Sequence, residues 1–227
     1  MINIIQWNCR GFKAIFLELN LLVQSFLPIA FCLQETHLKE TDKISLKGYS
    51  MYSTFSEENE RASGGSTILV KDRTLHSTVD LDTDLQAVAV RISIDRTITL
   101  CSIYIPPSNN LDPAKLKHLI DQLPTPFLLL GDFNAHNPIW GSQNTNDKGK
   151  KIEDILSKES LCIFNDGSST FLHSGNGTYS SIDLSVCDPS ILLDFSWNVH
   201  SLRKRPFPDH LGTHVCNTRT TCSSMET

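Results

Sequence analysis

The chain has no C-x-x-C pair, no excess of basic residues, no unbroken apolar run and no leader-like N-terminus, and each absence argues against a class of protein. The seven cysteines, at positions 9, 32, 101, 162, 187, 216 and 222, stand singly and mostly inside apolar stretches. They read as buried thiols in a reducing compartment rather than as zinc ligands or a disulfide framework. Lys and Arg number 20 against 25 Asp and Glu, so no global positive field is available to hold a polyanion. A nucleic-acid substrate would have to be held by local residues and a metal. The one short basic cluster, Arg203 to Arg205, reads either as a phosphate-facing edge or as a solvated loop. The most apolar stretch, Leu17 to Leu33, is broken by Glu18, Asn20, Gln24 and Pro28, which argues against a membrane span. Strand-like Ile2 to Trp7 stands at the N-terminus with no basic region or cleavage site, so the chain is expected to be intracellular and not secreted. No repeat or inter-domain linker is visible. A length of 227 residues is enough for one full core. The expected division is a single domain over 1–211 and a polar, Ser/Thr-rich, partly disordered tail over 212–227.

What is present is a set of apolar strands that end in acids. Leu128 to Leu130 has no polar face, which suits a central strand buried on both sides, and the run stops at Gly131. Asp132 and Asn134 follow two residues apart, so a continued strand would project both side chains from one face. Gly131, lacking a Cβ, lets another backbone or a ligand come close. A tight turn with Asp132 as a local backbone cap is the alternative for this segment. Ile29 to Gln34 repeats the pattern and delivers Glu35 to its end. Ahead of Ile29, and after the strand-like Ile2 to Trp7, Phe12 to Phe26 carries apolar residues at helical spacing until Pro28 stops it. Gln86 to Ile94 and Thr97 to Ile105 read as a hairpin turning at Asp95-Arg96. Asp112 before Pro113 marks a helix start, and the helix is expected to run to about Leu123. Further on, Asn137 to Gly149 reads as a polar loop anchored by Trp140, Lys151 to Ser160 as a helix, and Leu161 to Asn165, Ser180 to Cys187 and Asp194 to His200 as strands. Strand-end residues Asn8, Glu35, Tyr104, Asp132, Asn134, Asp183, Asp209 and His210 are the candidates for chemistry. Converging carboxylates at a sheet's end suit a hard cation with open positions for phosphate.

Six blocks occur in a recognisable order: WNCRG (7–11), QETH (34–37), SIYIPP (102–107), GDFNAH (131–136), SSIDL (180–184) and PDH (208–210). Together they resemble the motifs of the endonuclease/exonuclease/phosphatase superfamily. GGSTILVK, LLLGDFNAHNPIWGS, KKIEDIL and SSIDLSVCDPS further resemble the endonuclease domain of jockey-like non-LTR retrotransposons. The resemblance implies a four-layer α/β sandwich, two facing mixed β-sheets flanked by helices, with the active site at one end of the sheets. It implies Mg²⁺-dependent hydrolysis of a DNA phosphodiester, with Mn²⁺ as the alternative ion, leaving a 3′-hydroxyl that primes reverse transcription. DNA would be the partner, the nucleus the location, and a reverse transcriptase region a part of the parent element outside this chain. Glu35 would hold the cation with Asn8 beside it and Asp209 assisting; Asp132 would activate the water, and Asn134 would orient the phosphate or that aspartate. His210 would donate to a phosphate oxygen with its tautomer set by Asp183, and Tyr104 would hydrogen-bond the phosphate. Two departures accompany the match. Arg10 stands where many relatives carry an acid, and Pro208 stands where a serine is usual, with Leu211-Gly212-Thr213 predicting a weak or absent closing strand. The altered final motif makes an inactive nucleic-acid-binding remnant one alternative function, and a phosphatase of the same superfamily, whose shared site cleaves many phosphoesters, is the other.

Overall fold

The computed structural model describes residues 2–55, 63–108, 110–173, 175, 177–200 and 212–217. Asp209 and His210, with Pro208 and the basic cluster at 203–205, lie outside these residues. In chain order the elements are β1 (Asn3–Asn8), α1 (Phe16–Phe26), β2 (Ala30–Gln34), β3 (Tyr49–Thr54), β4 (Ser66–Lys71), β5 (His76–Val79), β6 (Gln86–Ser93), β7 (Thr97–Tyr104) and α2 (Pro113–Asp121), followed by β8 (Phe127–Asp132), α3 (Asp147–Lys158), β9 (Cys162–Ile163), β10 (Phe171–His173), β11 (Thr178–Ser180), β12 (Asp183–Cys187), β13 (Phe195–His200) and β14 (Gly212–Asn217).

Two six-stranded sheets form, in the orders β13-β14-β1-β2-β4-β3 and β5-β6-β7-β8-β12-β9, and β10 with β11 makes a separate hairpin. Each large sheet is mixed, because β1 runs parallel to β2 and β7 parallel to β8 while their other neighbours pair antiparallel. Of those parallel strands, β2 and β8 are near-continuous apolar runs, as suits strands buried on both faces. Leu19 and Leu22 of α1 pack with Ile5, Trp7, Phe31 and Leu33 on the outer face of the first sheet. Leu116 and Leu119 of α2 and Ile152 and Ile155 of α3 cover the outer face of the second, against Ala89, Cys101 and Leu129. Between the sheets lie Ile4, Ala30, Ile68, Leu100, Leu128 and Leu130. The result is the expected four-layer sandwich.

The inner layer changes character along its length. Side chains alternate along a strand, so Ile4, Gln6 and Asn8 of β1 share the inward face, as do Ala30, Cys32 and Gln34 of β2 and Leu128, Leu130 and Asp132 of β8. In each case an apolar residue comes first and a polar one stands last, with Gln6 of β1 already polar at the middle position. Ser66, Ser102, Asp183 and Ser185 add to the same polar end, all buried. The inter-sheet core is thus apolar at one end and hydrogen-bonded at the other, and the polar end is where the strand-end acids gather.

Gly131 shows why the motif needs a residue without a side chain. It pairs with Ile103 across the parallel β7–β8 ladder, and a Cβ there would stand 2.0 Å from the Ile103 carbonyl oxygen. The close approach is to backbone. Gly131→Ala is expected to destabilise the fold by about 3 kcal/mol, a fall of roughly 6–12 °C in melting temperature followed by circular dichroism.

Several local expectations are met. The hairpin turns at Asp95-Arg96 with Ser93 opposite Thr97. Asp112 caps α2 by accepting from the Ala114 N–H at 2.9 Å. Trp140 anchors its loop, fully buried with Nε1 donating to the Ala135 carbonyl at 3.1 Å. Four cysteines, Cys9, Cys32, Cys101 and Cys187, are buried free thiols, and burial pushes the thiol of Cys187 up to about 12.

Other expectations are corrected. The helix drawn from Lys151 begins at Asp147, because Asn146 caps it by accepting from the Gly149 N–H at 2.7 Å. The single strand expected over Ser180 to Cys187 divides into β11 and β12. The first turns of the helix expected from Phe12 are 3-10 in form before α1 starts. A further difference concerns 212–217, which the sequence places in a weakly patterned, partly disordered tail. These residues form β14, antiparallel to both β1 and β13. Thr213 and Val215 alternate onto the buried face, and pairing on both sides outweighs a composition that taken alone reads as polar tail.

Candidate active site

Asn8 ends β1 and Glu35 follows β2 directly, the two strands being paired in parallel with Asn8 opposite Gln34. Glu35 has a φ of 50°, in the left-handed region, so the chain turns sharply at this residue instead of continuing the strand. Arg10, His37 and Asn134 share this conformation; positive φ costs a non-glycine residue of order 1–3 kcal/mol and concentrates where side chains must be re-aimed. The turns are tied down by backbone bonds from Gly11 N–H to the Glu35 carbonyl at 2.7 Å and from Phe12 N–H to the Thr36 carbonyl at 2.8 Å.

At the centre is the Asn8 amide. Its Nδ2 donates to Glu35 Oε1 at 2.9 Å and to Asp132 Oδ2 at 2.7 Å, while its Oδ1 accepts from the Arg10 N–H at 3.2 Å. One amide therefore holds one carboxylate from each sheet. Glu35 Oε2 lies 3.7 Å from His37 Nε2. The phenol of Tyr104, opposite Asp132 in the parallel ladder, is hydrogen-bonded to Glu35. Burial, then the charges of Glu35 and Asp132, hold its pKa far above that of an ordinary tyrosine. It is a permanent donor at any physiological pH.

Asp132 is also a local cap. Its Oδ1 accepts from the Asn134 N–H at 3.0 Å, so the turn and the functional readings of this segment are both realised. The strand ends at Asp132, and Asn134 does not share its face as a continued strand would require. The Asn134 side chain donates to the Ile105 carbonyl at 3.1 Å, and its link to Asp132 runs through its backbone N–H. Asp183 stands directly opposite Asp132 on the antiparallel neighbour. It is fully buried, with its N–H donating to Thr170 Oγ1 at 3.1 Å and its Oδ1 accepting from Gln6 Nε2 at 3.2 Å. Asn8, Glu35, Tyr104, Asp132, Asn134 and Asp183 are thus brought to one end of the sandwich.

The set fits a hard divalent cation by the chemistry of its donors. Carboxylate oxygens from Glu35 and Asp132 share one amide, and like charges that close favour a cation between or beside them. Among the described residues no group of three or more His, Cys, Asp or Glu is close enough to hold a metal; Asp209 falls outside them. Arg10, standing where an acid is usual, carries its guanidinium over the Phe171 ring at 5.9 Å from the centroid, a cation–π contact.

Residues that the sequence reading passed over complete the surroundings. Lys148 is buried, its ammonium donating to the Pro106 and Pro107 carbonyls at 2.5 and 3.1 Å. Burial lowers its pKa and the charge of Asp132 acts in the opposite sense. Lys148→Met leaves the Pro106 and Pro107 carbonyls without that donor and is expected to cost about 1–3 kcal/mol in urea unfolding. His136, given no role from sequence, stacks on His173 with centroids 6.4 Å apart, and burial pushes its pKa down. Gln6 and Gln34 are fully buried; the signal available was a polar residue inside an otherwise apolar strand.

An oxygen-rich cluster at the end of two facing mixed sheets defines this chain as a protein of the endonuclease/exonuclease/phosphatase fold. More particularly, residues 98–214 match the family described as Endonuclease-reverse transcriptase, and the chain belongs to that family. It is 26% identical over 169 residues to the RNA-directed DNA polymerase from mobile element jockey of Drosophila melanogaster, covering 73% of this chain and 18% of that protein. It is 23% identical over 192 residues to the probable RNA-directed DNA polymerase from transposon X-element of the same fly, covering 82% and 21%. The chain spans about a fifth of the length of these curated relatives. Among solved structures, the endonuclease domain of TRAS1, a telomere-specific non-LTR retrotransposon, superposes with a TM-score of 0.79 at 20% identity over 94% of this chain and 96% of that one. The AP endonuclease LMAP from Leishmania major gives 0.77 at 14% identity, over 94% and 86%. No helix among the described residues is long and apolar enough to cross a membrane.

Proposed function

We propose that this chain is a metal-dependent DNA endonuclease that nicks target DNA in the nucleus and leaves a 3′-hydroxyl from which reverse transcription is primed. The observation that carries the reading is the Asn8 amide holding Glu35 and Asp132 together at 2.9 and 2.7 Å, in a member of the Endonuclease-reverse transcriptase family.

Glu35 would hold Mg²⁺, or Mn²⁺ in its place, with Asn8 beside it and Asp209 assisting. Bound there, the cation supplies charge stabilisation to the phosphate and the departing oxygen. The rest belongs to the chain's own groups. Asp132, oriented by the Asn134 N–H and the Asn8 amide, takes a proton from the attacking water as that water's oxygen bonds to phosphorus and the bond to the 3′-oxygen breaks, the 3′-oxygen taking a proton from solvent water to become the 3′-hydroxyl. Tyr104 would turn its single O–H from Glu35, by then engaged with the cation, to a phosphate oxygen. His210 would donate to another, with its tautomer set by Asp183. DNA is the partner this chemistry serves, and the reverse transcriptase region is sought in the parent element.

The inactive-remnant reading drew on a missing closing strand, and β14 removes that part of its support. The test is nicking of supercoiled plasmid, with open-circle product expected in Mg²⁺ and none in EDTA. A chain that binds plasmid without nicking it would establish the remnant instead. Release of phosphate from a 3′-phosphorylated oligonucleotide, with intact plasmid, would favour the phosphatase.

A further inference from the structure

Gln6 lies two residues before Asn8 on the same inward face of β1, fully buried. Its three polar contacts reach three different strands. Thr213 Oγ1 of β14 donates to Gln6 Oε1 at 2.5 Å, and Gln6 Nε2 donates to Gln34 Oε1 of β2 at 2.8 Å and to Asp183 Oδ1 of β12 at 3.2 Å. One acceptor and two hydrogens meet one donor and two acceptors, so the amide has a single satisfied orientation. Gln34 extends the chain of bonds to Ser102 Oγ at 2.8 Å, and Ser66 Oγ donates to the same oxygen at 2.7 Å.

Stability alone does not call for this residue. A buried amide contributes little net over an apolar side chain of the same volume, and the next inward residue along β1, Ile4, is apolar. Gln6 differs from Ile4 in what it touches. The carboxylate it holds is the cross-strand neighbour of Asp132. The hydroxyl it accepts from sits on Thr213, its register partner on the strand that follows His210 in the chain. Asn8 and Gln6, alternate residues of one strand, thus reach the two neighbouring aspartates of the opposite sheet in the same way, one amide to each.

We propose that Gln6 is a positioning residue for phosphodiester cleavage: through one amide it fixes the Asp183 carboxylate and the start of β14 in a common register. The proposal rests on the roles given above to Asp183 and His210. It acts on the geometry of the reacting groups and leaves DNA binding alone.

The test is plasmid nicking in Mg²⁺ by Gln6→Met, Asp183→Asn and the double variant, each with a melting curve. Gln6→Met is expected to lower kcat about 10- to 100-fold, with KM for plasmid within roughly twofold of the starting protein. If Gln6 works through Asp183, the double variant is no slower than Asp183→Asn alone, within roughly twofold. Should Gln6→Met fail to fold, Thr213→Val, which removes the hydroxyl that orients the amide, carries the same test with a smaller loss of the same kind. Nicking by Gln6→Met at the original kcat, or losses that multiply in the double variant, overturns the positioning role while the nuclease reading stands. An unmodified chain that never nicks overturns the nuclease reading, and this inference with it.

Discussion

Asp132→Asn is expected to reduce plasmid nicking by about 10²- to 10⁴-fold, the largest loss from any single substitution among the described residues. The change preserves shape and removes the charge and the proton-accepting capacity. Its structural effect can be judged in advance. Two partners of the Asp132 oxygens are donors, the Asn8 amide at 2.7 Å and the Asn134 N–H at 3.0 Å. An asparagine must turn its own NH₂ toward one of them, whichever way it is placed. The mismatch is expected to cost about 1–3 kcal/mol, visible as a lowered melting temperature with the circular dichroism spectrum unchanged. Loss of activity with a folded spectrum supports Asp132 as the group that handles the attacking water. Undiminished nicking in the folded variant would remove it from the mechanism.

Glu35→Ala has the second largest effect, and its decisive readout is independent of catalysis. Glu35 is the more exposed of the two carboxylates sharing the Asn8 amide, its side chain 18% accessible. It is therefore the one open to an ion from solvent. A ligand at 100 times its dissociation constant stabilises the folded state by about 2.7 kcal/mol, or roughly 5–11 °C in a chain of this size. Saturating Mg²⁺ is expected to raise the melting temperature of the unmodified chain by an amount in this range, and to leave Glu35→Ala unmoved. Nicking is lost with it. Alanine at a φ of 50° inherits the backbone strain that glutamate already bears, so a change in baseline stability reflects the lost side-chain bonds. Mg²⁺ that still raises the melting point of Glu35→Ala would show the ion bound elsewhere.

Much of the fold could be read in the chain because it is encoded locally. Leu128 to Leu130 and Ala30 to Leu33 are apolar on both faces, which only central strands require, and each delivers an acid at its end. Asp112 and Pro113 mark a helix start by capping chemistry confined to three residues. The hairpin at Asp95-Arg96 follows from two β-rich runs of matching length. The candidate residues Asn8, Glu35, Tyr104, Asp132, Asn134 and Asp183 were legible for the same reason, standing where apolar runs stop.

Other features depended on partners distant in sequence. β14 has a polar composition and becomes a strand because β1 and β13 each offer it an unpaired edge. Asn134 leaves the face of Asp132 because the chain turns left-handed there, a conformation stabilised by its bonds to Asp132 and Ile105. Gln6 in an apolar strand looks like a misfit until Asp183, 177 residues away, is placed against it.

The sequence by itself determined that Ala30 to Leu33 and Leu128 to Leu130 are buried on both faces and that a carboxylate follows each, since period, composition and turn chemistry act over a few residues. Only the tertiary structure decided that Asn8 and Gln6 each reach one of two neighbouring aspartates. That pairing depends on how one sheet is registered over the other, and registration is set by the packing of the whole inner layer.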